Sequence, residues 1–176
     1  SGSKSLFVDF TLTTTNPKLS PVIDLQRCSA IAVQNRLNNP DVSNTPGFIE
    51  ETQPTGGSNA ATYITRPIVL ENDSTAIDIR LSANVRSSAE VEVYFRTTSS
   101  AETRDIRTLA FTPFNTDGKE DVAVAPAERD NEFKEYKYSV TGLDAFTTFQ
   151  VKIVMKGSIS SYPPQIKDLR GIALAL

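Results

Sequence analysis

From Thr75 to Thr98 the chain reads TAIDIRLSANVRSSAEVEVYFRTT, and its apolar residues fall on every second position. Ile77, Ile79, Leu81, Ala83 and Val85 alternate with Asp78, Arg80, Ser82 and Asn84. After a polar turn at Arg86-Ser87-Ser88, Val91, Val93 and Phe95 alternate with Glu92, Tyr94 and Arg96. A period of two sets one face of each strand against a core and the other towards water. Two such runs with a short polar connection predict an antiparallel hairpin, because parallel strands need a far longer crossover. A lone hairpin is marginal and needs other strands over its apolar face.

The same alternation recurs along the chain. Leu6, Val8, Phe10 and Leu12 predict a first strand, followed by turns at Asn16-Pro17 and Ser20-Pro21. Val22 to Leu25 and Ala30 to Val33 are short apolar segments, the second read as a strand. Tyr63 to Leu70 carries Pro67, which confines it to an edge or a strand end, and Glu71 to Ser74 reads as a polar turn. Tyr136, Tyr138 and Val140 share a face in FKEYKYSV, and Phe149, Val151, Ile153 and Met155 alternate with Gln150, Lys152, Val154 and Lys156. Ile166 and Leu169 slip out of period by one residue, which predicts a β-bulge near Lys167-Asp168. These segments predict an all-β fold, an antiparallel, jelly-roll-like sandwich of about eight to ten strands. Ile79, Leu81, Val93, Phe95, Val151 and Ile153 are its expected core.

Between Asn35 and Thr62 the pattern breaks. Asn38-Asn39-Pro40, Thr45-Pro46-Gly47, Gln53-Pro54 and Gly56-Gly57 mark turns with no periodic run between them. A loop this long in a compact domain is functional, a lid or an edge cover. The plain alternative is a connection crossing the end of a sandwich. Phe48, Ile49, Glu50 and Glu51 are its candidate partner contacts, two apolar anchors beside two carboxylates that suit a basic surface.

Composition narrows the chemistry. The 176 residues suit a single domain over 4–176, with Ser1-Gly2-Ser3 read as a cloning scar and natural sequence expected upstream. A net charge of −3 disfavours a nucleic-acid partner. No apolar run approaches the ~20 residues of a membrane helix, so no membrane partner is expected. Cys28, the single cysteine, permits no intrachain disulfide and reads as a small buried hydrophobe. With no histidine, Ser-His-Asp and Cys-His catalysis and the usual zinc sites drop out. Asn115 to Asp121 groups carboxylates around Gly118 but lacks the spacing of an EF-hand, and Asp-Gly is a good turn former. A glycosidase needs facing carboxylates roughly 5 to 10 Å apart. Here the acidic residues lie outward on strands or in turns, so no catalytic, metal or cofactor residues are assigned. Exposed tyrosines are the candidates for stacking a sugar ring, Tyr94 and Tyr162 foremost.

Taken together, SPVIDLQRCSAIAVQNRLNNP, ATYITRPIVLENDSTAIDIRLSANVRSSAEVEVYFR and FTTFQVKIVMKGSISSYPPQIKDLRGIALAL resemble the C-terminal region of virion structural proteins of T4-like tailed bacteriophages. The resemblance runs in order from about Pro21 to Leu176. It implies one module of a longer tail or baseplate protein, located in the virion. Such a module would perform no chemistry, use no cofactor, and contact other virion proteins or further copies of itself. It carries over no functional residues. The alternative is a carbohydrate-binding module contacting the host surface, and a hydrolase stands third.

Overall fold

The computed structural model of the chain describes residues 9–15, 22–23, 26, 36–41, 47–159 and 161–175. The chain divides into two compact units, Ser1–Val33 and Gln34–Leu176. In the first, the described residues 9–15 form no strand, and Phe10 and Leu12 are exposed, so the expected strand ending at Leu12 is absent over this part. The scar at Ser1–Ser3, the turns at Asn16-Pro17 and Ser20-Pro21, the segment Ala30–Val33 and Cys28 lie outside the described residues.

All the regular structure described lies in the second unit, and apart from two 3-10 turns, Ile106–Thr108 and Phe114–Thr116, its strands pair antiparallel. Its strands are β1 (Thr62–Ile64), β2 (Ile68–Ser74), β3 (Ala76–Asn84), β4 (Ala89–Thr98), β5 (Thr112–Pro113), β6 (Lys134–Val140), β7 (Phe146–Gly157) and β8 (Gln165–Leu174). In the larger sheet β7 pairs with β4, and β4 with β5; β1 and β2 share the other edge of β7. The smaller sheet has the order β6-β3-β8. Pro67 splits the Tyr63–Leu70 segment into β1 and β2, both on the sheet edge as a missing N–H donor requires. Glu71 to Ser74, expected to turn, instead continues β2, and the chain reverses at Thr75.

The expected hairpin is the main correction. β3 pairs with β6 and β8, whereas β4 pairs with β5 and β7. The two strands therefore stand in opposite sheets, with residues 85–88 carrying the chain across. Four residues at about 3.3 to 3.6 Å each are long enough to bridge the ~10 Å between packed sheets. Alternation reports that a strand has an apolar face; it does not say whether that face lies beside its neighbour's or opposite it. Here the faces are opposed, so Ile77, Ile79 and Leu81 meet Val91, Val93 and Phe95 in one core.

Tyr136 and Tyr138 from β6 and Phe149, Val151 and Ile153 from β7 complete that core. Phe114, from a 3-10 turn at Phe114–Thr116, fills its end with its ring 4.8 Å from Phe95 and 6.1 Å from Tyr138. All six expected core residues are buried. The expected bulge is present too: Arg80 pairs with Arg170 and Ser82 with Lys167, so β8 spends one more residue than β3. Asp168 takes a left-handed φ of 54° there.

Candidate functional site

The outer face of β4 and β7 is where the molecule departs furthest from a plain sandwich. By period, Glu92, Tyr94 and Arg96 on β4 and Gln150, Lys152 and Lys156 on β7 belong on the solvent side, yet all are buried. The cause is the irregular segment after Gly47, which lies over this face. Its backbone is tied down by Phe111 N donating to Thr52 O at 2.8 Å and Met155 N to Ala61 O at 2.9 Å. Further along, Gly157 N donates to Asn38 O at 2.8 Å, and Asn38 forms a bridge to Lys156. The long loop is thus a second layer over the sheet.

Burying charge is costly unless each ion is paired and its remaining hydrogen-bonding capacity met. The register supplies the partners. Arg96 stands opposite Gln150, and its Nε donates to Gln150 Oε1 at 2.8 Å. Its Nη1 reaches the carbonyls of Pro54, Arg107 and Leu109 at 3.3, 3.1 and 2.8 Å, and the guanidinium lies 4.1 Å from the Phe111 ring centre. Lys156, diagonal to Glu92, donates to its Oε1 at 2.5 Å, while Tyr94 Oη donates to Oε2 at 2.7 Å. Burial pushes the Glu92 carboxyl up, but these donors outweigh it and hold the group below its ordinary value. Burial and the adjacent Glu92 carboxylate raise the Tyr94 hydroxyl.

Lys152 is the deepest ion, with no exposed surface. Its Nζ donates to Glu51 Oε2 at 3.0 Å, to Gly56 O at 3.2 Å and to the Glu51 carbonyl. The rings of Tyr94 and Phe111 wall it in, their centres 4.6 and 4.7 Å away. Burial pushes the ammonium below the usual lysine range, with Glu51 offsetting part of that. Glu51 in turn accepts at Oε1 from the Asn59 backbone N at 3.0 Å and from Asn59 Nδ2. Gly57, at φ 83°, leaves the space in which the Glu51 carboxylate sits, since any Cβ there would collide with it.

The sequence candidates fare unequally. Glu51 is 4% exposed and committed to Lys152, so it offers no charge to a partner. Tyr94 is 7% exposed and hydroxyl-bonded to Glu92, so it presents no face to a sugar; the loop covers it. Ile49 and Glu50 are exposed, Phe48 half-buried, and Phe48, Glu50, Pro40 and Asp41 rim a cleft of about 330 Å³ floored by Glu92, Tyr94 and Lys156. Tyr162 is 50% exposed and lies in a separate polar cleft with Asn84, Arg86, Asp130 and Gln165, its ring centre 5.6 Å from the Arg86 guanidinium carbon. In the Asn115–Asp121 turn, Asp121 is bonded to Asn115 Nδ2 and to the N and Oγ of Ser139. Among the described residues no three His, Cys, Asp or Glu side chains are grouped to hold a metal ion.

Lys152 and Asn59 carry no signal in the sequence reading. Lys152 reads as a solvent-side strand residue and Asn59 as one more polar loop residue. Compared with protein-family models, with curated proteins and with solved structures, the chain matches none.

Proposed function

We propose that this chain is a non-enzymatic structural module of a phage virion, in the tail or baseplate, working through contacts with other virion proteins. Two things support the reading. One is the resemblance of three long segments to virion structural proteins of T4-like phages. The observation that carries it is the edge that β1 and β2 make along β7, which no other described strand pairs and where Tyr63, Ile64, Ile68 and Val69 are exposed, Val69 to 76%. Unpaired edges with apolar side chains pair with other chains unless blunted by charge or proline; here Arg66 and Pro67 interrupt the strip and Glu71 and Asp73 close it, leaving Tyr63-Ile64 and Ile68-Val69 as its two apolar stretches. An antibody raised against the chain, applied to intact particles of the phage that encodes it and imaged by electron microscopy, should label the tail or baseplate. Particles left unlabelled while the same antibody detects the free chain would overturn the assignment.

A host-surface glycan module is the second reading, and the Tyr162 cleft favours it: an exposed ring among amide, carboxylate and guanidinium groups is the chemistry that holds a sugar. Binding to one glycan class, abolished by Tyr162→Ala, would replace the first reading with this one.

A further inference from the structure

The covered face holds one arrangement that a scaffold does not require. An amine, a carboxylate and a primary carboxamide form one buried chain, Lys152, Glu51 and Asn59 with Glu51 in the middle, and they are 0%, 4% and 8% exposed. The Glu51 carboxylate touches both others, Lys152 Nζ through Oε2 at 3.0 Å and the Asn59 carboxamide through Oε1. The aromatic walls of Tyr94 and Phe111 keep water from the amine. Asn59 Oδ1 is buried without a hydrogen-bond partner, a costly state for a carbonyl oxygen.

We propose that Lys152 and Asn59 become joined by an intramolecular isopeptide bond, with Glu51 carrying the protons. Amide exchange of this kind needs a neutral amine, a polarised carboxamide, a proton carrier touching both, and exclusion of the water that would hydrolyse the amide. Glu51 touches both reacting groups and the two rings shut out water, which meets the last two needs, and the first two follow from one proton transfer and one rotation. Moving one proton from the Lys152 ammonium to Glu51 replaces two buried charges by two neutral groups, the direction in which burial already pushes this lysine. A half-turn of the Asn59 carboxamide then brings Oδ1 to the place where Nδ2 now meets Glu51, so the protonated carboxyl donates to the orphaned oxygen and polarises Cγ.

The Lys152 nitrogen lone pair attacks Cγ and a C–N bond forms. Glu51 takes a proton from the attacking nitrogen and delivers one to Nδ2. The Cγ–Nδ2 bond breaks and ammonia leaves, with Glu51 regenerated. An amine and a primary amide have become a secondary amide and ammonia, with no change of oxidation state. The product ties the cover segment, through Asn59, to the middle of β7. This step stands apart from the virion reading and holds for any role of the fold.

Mass spectrometry of the intact, denatured full chain tests it. The wild type should weigh about 17 Da less than its sequence, one ammonia, as the amide exchange requires. After proteolysis a branched peptide should join the segments holding Asn59 and Lys152. Glu51→Gln, Asn59→Ala and Lys152→Arg should each show their full sequence mass and no branched peptide. Wild type at full sequence mass would overturn the proposal, because the site would then be an ion pair only. So would an ammonia loss confined to a linear peptide, which would mark a succinimide at the asparagine. The wild-type mass and peptide decide the matter even where a variant fails to fold.

Discussion

The two sheets turn different outer faces to their surroundings, although the strands at their centres alternate in the same way. On β3 the outward residues Asp78, Arg80 and Ser82 are partly exposed. Asp78 pairs with Arg80 along β3 and with Lys137 across to β6, and Glu135 with Arg80 and Arg170, at 3.0 to 3.5 Å. On β4 and β7 the outward residues lie under the Gly47–Ala61 segment, and their charges meet buried partners. A polar alternate position thus has two fates, water or a second layer. In water an ion pair is nearly optional; under a layer, losing one partner strands the other in a medium that cannot solvate it.

Substitutions should separate the faces most clearly. Glu51→Ala leaves the Lys152 ammonium buried, unpaired and not joined to Asn59, and denaturant unfolding should show a loss of at least about 3 to 5 kcal/mol, the cost of the stranded charge alone. That matches the expectation for Phe95→Ala in the core, about 3 to 5 kcal/mol by the same measurement. A loss under about 1 kcal/mol for Glu51→Ala would mean that the cover lifts and rehydrates the lysine at little cost.

A smaller effect is expected of Tyr94→Phe, which removes the hydroxyl that donates to the buried Glu92 carboxylate. Hydrogen bonds to charged groups contribute about 1.5 to 3 kcal/mol, and the same unfolding experiment should return a loss in that range.

Acid should find the covered face as well. Because Glu92 is held below its ordinary 4.5, its contribution is complete above that pH and is lost as pH falls from there through the lowered value. Glu90 runs the other way: burial raises it, so its contribution is present below 4.5 and fades as pH rises through the raised value. Melting temperatures of wild type and Glu92→Gln across acid pH should therefore differ in slope below 4.5, the variant being the flatter. Parallel slopes would show that Glu92 does not titrate with the fold.

The smallest change is expected on the open face. Arg80→Ala should cost no more than about 1 kcal/mol, and less in high salt, since exposed pairs are screened.

Much of the fold was legible in the sequence, and what was missed has a physical reason. Strict period two located β3, β4, β6 and β7, and the one-residue slip between Ile166 and Leu169 located the bulge that Asp168 makes. The pattern has no term for which sheet a strand joins, so a four-residue connection after Asn84 read as a hairpin and is a crossing. Nor has it a term for a second layer. Glu51 and Lys152 lie 101 positions apart, and no spacing rule links them. Only the cover's backbone, turning at Gly56 and Gly57, brings the carboxylate onto the lysine. One hint was available: Val154 sits amid the polar alternates of β7, an apolar residue on a face read as wet.

The crossing at residues 85–88 also bears on how fast the molecule reaches its native state. Had β3 and β4 paired, a local hairpin would have seeded the fold within microseconds. As built, β3 finds β6 only through contacts such as Ile77 with Val140, 63 positions along the chain. Its other neighbour, β8, is further still, and β7 lies about as far from β4 as β6 does from β3. Chain closure over such distances must come before the contacts that reward it, which places folding in the millisecond-to-second range of all-β domains. Through that interval the apolar faces that the finished sandwich buries stay open to water and to one another.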